Sequence, residues 1–343
     1  CRLPAPAEPL RAVTVGSISH HYTPRTLVKS GGASPFSRVG PGPCFIPKPE
    51  GTHVGGNITA TGTFAQTGVL SCGPDNKILE SIGTSFAAPI VSSQAAALFH
   101  MLSRNQEDPV PTERVKALLI HSALLGSQRV TTETIHNYGF GKPGDVLDSL
   151  YCDPNCMTLV FETDVKHGGF EFERFPFPIA DCLQSADGKF RGEILMTPVY
   201  SPLVDKDFAS EYCRTNVDAG MGSYDLDDTG KREFASQVPV APKDLRKLYE
   251  HVQIANGFKW SPVKAYHRIF PRGIEVDTWR LKMKVTRRAE EEMPDAPQRA
   301  TLLVSLRGLD PELPVYNEMI QKITQAGWIT NDIDQNIRIA GRT

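Results

Sequence analysis

The stretch "GTSFAAPIVSSQAAALFH" (83–100) leaves this chain the least freedom. Its alanines and small apolar residues predict a helix packed closely on its neighbours, of the kind that runs fully buried through the centre of a domain. The punctuation before it is ordinary. Thr84 or Ser85 can cap the first turn with a side-chain oxygen, and Gly83 permits a tight entry. Pro89 is not ordinary, because it removes the N–H that would bond back to the carbonyl of Ser85. A fold that keeps this defect beside a hydroxyl is either kinking a helix or shaping a site.

The rest of the chain sets the bounds. Its 343 residues suffice for two packed domains. With 40% hydrophobic and 22% charged residues and a formal charge of −2, it has the composition of a globular protein. Nothing in it predicts a nucleic-acid footprint, and no apolar run is read as a membrane span of about 20 residues. The first residue is Cys1 rather than Met, so the chain is read as beginning inside a longer protein. Seven scattered cysteines, odd in number, predict reduced thiols and a cytoplasmic setting. Cys152 and Cys156 are spaced as two zinc ligands could be but lack two more, so no metal or cofactor is expected.

Patterning changes character near residue 150. Before it, "RAVTVGSI" (11–18) predicts a buried strand, and "SGGASPFSRVGPGP" (30–43) a loop around a short strand at Phe36–Ser37. "VPTERVKALLIHSA" (110–123) predicts a helix opened by Pro111–Thr112, and 138–150 a loop and short helix. Strands interleaved with helices imply an α/β layer structure over residues 1–150. Beyond it, 159–165, 170–177, 192–200, 279–285 and 301–307 read as short strands, most clearly "WRLKMKV", where apolar and basic residues alternate. Residues 151–310 are therefore expected to form a mostly antiparallel β-sandwich or jelly roll. A helix over 316–327 lies in a terminal segment, 311–343.

"GTSFAAPIV" (83–91) resembles the nucleophile motif of subtilisin-like serine peptidases, where it opens the long central helix. Four further segments resemble that family in the expected order: "PAPAEPLRAVTVGSI" (4–18), "SPFSRVGPGPCFIPKPEGTHVGG" (34–56), "RVKALLIHSA" (114–123) and "YGFGKP" (138–143). The resemblance covers about residues 4–150 and implies the C-terminal part of a three-layer parallel-sheet peptidase domain. It implies that Ser85 is the nucleophile and that Thr84 supports the oxyanion, with Gly83 and Pro89 as structural members of the motif. A helix start suits that chemistry. The serine's own N–H is free to donate to a developing oxyanion, and the helix dipole adds favourable charge.

The family's catalytic Asp and His and its oxyanion Asn precede the strand matched by 11–18. They are therefore expected on an upstream segment of the same protein, and the 343 residues alone are expected to be inactive. No histidine within the chain replaces them in this reading. His100 lies about 22 Å along the helix from Ser85 at 1.5 Å per residue. His121 should pack on a helix, His53 should sit on a surface loop, and His20 and His21 should be exposed. The expected substrate is a protein or peptide.

"EYCRTNVDAGMGSYD" (211–225) resembles a segment of certain large bacterial subtilases, some encoded beside an AAA-type ATPase and implicated in phage defence. That likeness implies a bacterial source and an AAA-type ATPase as a partner. Asp205, Asp207, Asp225, Asp227 and Asp228 read as solvated turn carboxylates, with calcium as the alternative. The competing reading of the whole chain is a non-catalytic interaction module on a degenerate peptidase scaffold.

Overall fold

The computed structural model describes residues 2–104, 109–127, 131, 133–165, 171–226, 232–240, 250–255, 257, 259–288 and 298–328. Asp227, Asp228 and Cys1 lie outside the described residues. The chain divides into two compact units, one of residues 1–110, 118–149 and 254–257, the other of 111–117, 150–253 and 258–343. Both contain sheets and helices, so the fold is mixed α/β.

In the first unit, β1 (Val15–Ile18) and β2 (Gly51–Val54) pair in parallel, Val15 opposite Gly51 and Ile18 opposite Val54. Residues 34–37 take up groups on β1: Ser34 N–H donates to the Ser17 carbonyl, and Ser17 N–H to Ser37 Oγ at 2.9 Å. The predicted strand at Phe36–Ser37 is instead a turn, because this segment serves β1 through side-chain and single backbone bonds. A buried ion pair fixes the entrance to β2. Lys48 Nζ donates to Glu50 Oε1 at 2.6 Å and to the carbonyls of Pro9 and Ala12, while Glu50 Oε2 accepts from Thr14 N–H. β3 (Val69–Cys72) and β4 (Ile78–Ser81) form an antiparallel hairpin. Asp75 and Asn76 adopt positive φ in its loop, as tight hairpin turns demand.

The long helix α1 (Thr84–Ser103) is continuous through Pro89. It is not fully buried. Ala87, Val91, Leu98 and Leu102 face the core, while Ser85, Pro89, Ser92, Ser93, Ala96, Phe99 and His100 form an exposed stripe at helical spacing. By length and composition alone this helix could cross a membrane, which corrects the reading that no run is long enough. The remaining short elements are α2 (Thr112–Gly126), α3 (Ile135–Tyr138), α4 (Val146–Leu150) and α5 (Glu250–Ala255).

Among the described residues the second unit holds eight strands: β5 (Cys156–Val165), β6 (Glu171–Arg174), β7 (Glu193–Tyr200), β8 (Thr215–Leu226), β9 (Arg232–Val238), β10 (Tyr266–Ile269), β11 (Arg280–Arg287) and β12 (Gln298–Arg307). They make two antiparallel sheets, ordered β10-β7-β12-β5 and β6-β11-β8-β9. Alternate residues of both sheets enter one core, among them Ile194, Met196, Met221, Leu281, Met283 and Leu302. Each such burial stabilises by about 1.5–3 kcal/mol. The helix α6 (Val315–Gln325) adds Val315, Met319 and Ile323 to the same core at four-residue spacing.

Candidate active site

Ser85 is the second residue of α1. Gly83, just before the helix, has φ 148° and ψ 157°, a conformation essentially confined to glycine. Its N–H donates to the Gly55 carbonyl at 2.9 Å, and its carbonyl accepts from Phe86 N–H at 3.1 Å. The end of β2 therefore holds the turn from behind. That approach needs Gly55, because a Cβ there would lie 2.1 Å from Ser17 Oγ and 2.7 Å from the Gly83 carbonyl. The double glycine of "HVGGN" was the available signal for this backing, and no role had been read from it.

The turn presents Ser85 to solvent, and its hydroxyl makes no hydrogen bond among the described residues. No side chain caps the helix, and its first turn carries no acid. The N–H groups of Thr84 and Ser85 are thus open to an anion, with the positive end of the helix dipole behind them. Pro89 leaves the Ser85 carbonyl without its usual helical donor. Thr84 begins the helix beside Ser85, half-buried.

Among the described residues no histidine or carboxylate hydrogen-bonds this hydroxyl. His53 lies on β2 rather than on a surface loop, because its neighbours Thr52 and Val54 pair with β1. It is half-buried, and its Nδ1 accepts from Val54 N–H at 2.8 Å. Burial, with Lys142 adding, holds its pKa below the ordinary histidine value. His20 is half-buried rather than exposed, its Nδ1 is buried without a hydrogen bond, and burial again lowers its pKa. His21 and His100 are exposed and His121 is buried.

Asn57 is fully buried after the double glycine, but its Nδ2 already donates to Ser19 Oγ and to the carbonyls of His21 and Val28. It anchors the 19–28 loop and has no donor left for an oxyanion. Among the described residues no group of three or more His, Cys, Asp and Glu is placed to hold a metal. Asp205 instead accepts from Asp207 N–H, and Asp225 accepts from Ser223 Oγ. Among the described residues Cys44, Cys72, Cys152, Cys156, Cys182 and Cys213 are in no disulfide.

Residues 2–141 match the model of the Subtilase family, Peptidase_S8. The chain is 28% identical over 239 residues to the uncharacterized protein y4bN of Sinorhizobium fredii, a match covering 59% of this chain and 52% of that one. It thus spans about half the length of that relative. Among solved structures, the complex of the Aeromonas sobria serine protease with its chaperone aligns over 86% of this chain and 57% of that one, at 14% identity and a TM-score of 0.24. Dimeric latent PorU from Porphyromonas gingivalis aligns over 46% and 13% of the two chains, at 9% identity and a TM-score of 0.21.

Proposed function

We propose that this chain carries the nucleophile of a serine endopeptidase and that Ser85 forms the acyl-enzyme. The observation that carries this reading is the Ser85 hydroxyl, exposed and without a hydrogen bond, at an uncapped helix start that a glycine-only turn aims outward. In the reaction, Ser85 Oγ attacks the substrate carbonyl as a base takes its proton. The Ser85 N–H, with Thr84 supporting, faces the developing oxyanion. Collapse expels the amine, and water then frees the acid from Ser85. The base, its orienting Asp and the oxyanion Asn belong, in this proposal, to a segment upstream of residue 1 in the same polypeptide.

We further read the second unit as a jelly roll. Its strand order, β10-β7-β12-β5 over β6-β11-β8-β9, follows from two interleaved Greek keys, which supports that reading. The second functional reading, an interaction module, is favoured by one observation: no described His, Asp or Glu hydrogen-bonds Ser85.

Peptide turnover and labelling by a fluorophosphonate distinguish the two. The polypeptide with its upstream sequence is expected to cleave peptides and to be labelled at Ser85. Ser85→Ala is expected to abolish both while costing no more than about 1 kcal/mol of stability. Residues 1–343 alone are expected to do neither. Undiminished turnover by the Ser85→Ala form refutes the peptidase reading.

A further inference from the structure

In the second unit, β9 pairs with β8 only from Met221 onward, so the Thr215–Gly220 end of β8 has an edge that β9 does not reach. The segment 259–264 pairs its backbone with β7 and reaches β8 through Trp260 and Lys264, which places a lysine, an asparagine and an aspartate in direct contact. Lys264 is fully buried, and its Nζ donates to Asn216 Oδ1 at 2.7 Å, to Asp218 Oδ1 at 2.5 Å and to the Val217 carbonyl at 2.6 Å. Asn216 is also fully buried. Its Oδ1 accepts from the backbone N–H of Trp260 at 2.8 Å, and its Nδ2 donates to Asp218 Oδ2 at 2.7 Å. The Trp260 N–H identifies which end of the Asn216 amide is oxygen, since only oxygen can accept from it. Trp260 holds this position at φ 58°, a left-handed conformation that bulky residues seldom adopt. Tyr200 and Tyr266 are buried beside the cluster, and the Tyr266 hydroxyl lies 3.4 Å from Asp218 Oδ1.

We propose that Lys264 and Asn216 condense within the folded chain into a side-chain amide, with Asp218 shuttling protons and ammonia leaving. The three side chains the reaction needs are already hydrogen-bonded to one another. Asp218 Oδ1 takes a proton from the Lys264 ammonium and frees its lone pair. The amine attacks Cγ of Asn216, forming the new C–N bond as the carbonyl electrons move onto Oδ1, where the Trp260 N–H receives the charge. Asp218 gives its proton to Nδ2, the Cγ–Nδ2 bond breaks, and ammonia departs. Asp218 then removes the second proton from the new amide nitrogen. That proton leaves as ammonium, and no oxidant or reductant is involved. Burial opposes charge on Lys264 and lowers its pKa, against the pull of Asp218, which favours the nucleophilic amine. The fixed contacts replace a bimolecular encounter with an intramolecular one. Asp218 differs from its two partners in retaining 31% side-chain exposure, so protons and ammonia have a route out.

Asn216 rather than Asp218 is the electrophile because its oxygen is held by a backbone donor, whereas Asp218 touches both the incoming and the leaving nitrogen. The reaction is independent of Ser85.

Intact-mass measurement of the purified full chain tests the proposal. The expected mass is lower than that of the sequence by one ammonia, and proteolysis should give a branched peptide joining residues 216 and 264. Asp218→Ala, Asn216→Ala and Lys264→Arg are each expected to restore the mass of an unlinked chain. Circular dichroism reports whether each variant folds, and the unsubstituted chain is decisive without them. A folded, unsubstituted chain at the full sequence mass, with Lys264 modifiable by an amine reagent after denaturation, overturns the proposal. Loss of one water instead of ammonia overturns the choice of Asn216 and moves the bond to Asp218. A linked Asp218→Ala chain overturns the shuttle role.

Discussion

Replacing Lys48 by methionine should destabilise the first unit by several kcal/mol. The Lys48 side chain is 0% exposed and that of Glu50 is 2% exposed, so the substitution removes the lysine's charge from beside a carboxylate that water cannot reach. Breaking a buried pair from one side costs about 3–5 kcal/mol. The carbonyls of Pro9 and Ala12 also lose a donor, but both residues are exposed and can turn to water, so they add little. Glu50 Oε2 keeps Thr14 N–H, which limits the loss, and the working figure is about 4 kcal/mol. At about 2–4 °C per kcal/mol, the first unit should melt about 8–16 °C lower. Lys48→Met/Glu50→Gln removes both charges and should be less destabilised than the sum of the single changes by at least about 1 kcal/mol. Calorimetry of the full chain, with its transitions assigned by hydrogen exchange at the Thr14 amide, reads both quantities. A Lys48→Met transition within about 1 kcal/mol of the parent, or strict additivity in the double variant, refutes this account of the pair.

Gly83→Ala should destabilise by about 1–3 kcal/mol through backbone strain alone. The nearest atom to the new Cβ, Ser85 N, is at an ordinary 3.6 Å, so urea unfolding with no loss of stability would mean that the turn relaxes freely. Glu193 is held below its ordinary pKa by its hydrogen bond to His267, with Arg307 adding and burial opposing. Its stabilisation is therefore complete above the ordinary glutamate range near 4.5 and is lost as pH falls through the lower folded value. Glu193→Gln should flatten that acid limb of the stability profile, and an unchanged limb contradicts the assignment. Burial pushes the Cys156 thiol up to about 11, and burial with the Glu318 hydrogen bond pushes Cys182 up to about 12. In mass-spectrometric alkylation of the native protein near neutral pH, the exposed Cys72 should react ahead of both, and early labelling of Cys156 refutes the buried setting.

Much of the second unit was legible where apolar residues alternate with charged ones. β5, β7, β11, β12 and α6 fall within a few residues of their predicted spans, most clearly β11, where Leu281 and Met283 alternate with Arg280, Lys282 and Lys284. β8 was not legible. "TNVDAGMGSYDL" carries two glycines and several turn-forming residues, and its inward positions Val217 and Ala219 are small. It is a strand because β11 pairs along most of its length, a long-range fact that local propensity does not contain. At the candidate site, the start of α1 and the place of Ser85 were legible from a short motif whose residues each have a backbone reason to be there. The position of His53 was not. A histidine between Thr and Val reads equally as loop or strand until the pairing of β2 with β1 decides it.

The last described strand of the second unit is also an inner one of its sheet. β12 lies between β5 and β7, with Arg307 level with Cys156 on one side and with Glu193 on the other. As the chain leaves the ribosome, β5 and β7 are made early and cannot touch, since the strand that separates them is still untranslated. Their apolar faces wait through the synthesis of most of the unit, and long-range pairings of this kind form slowly. A nascent chain stopped before residue 298 can pair β7 with β10, but β5 has no strand of this sheet to join. The unit folds when β12 emerges, or it remains an open surface for chaperones to hold.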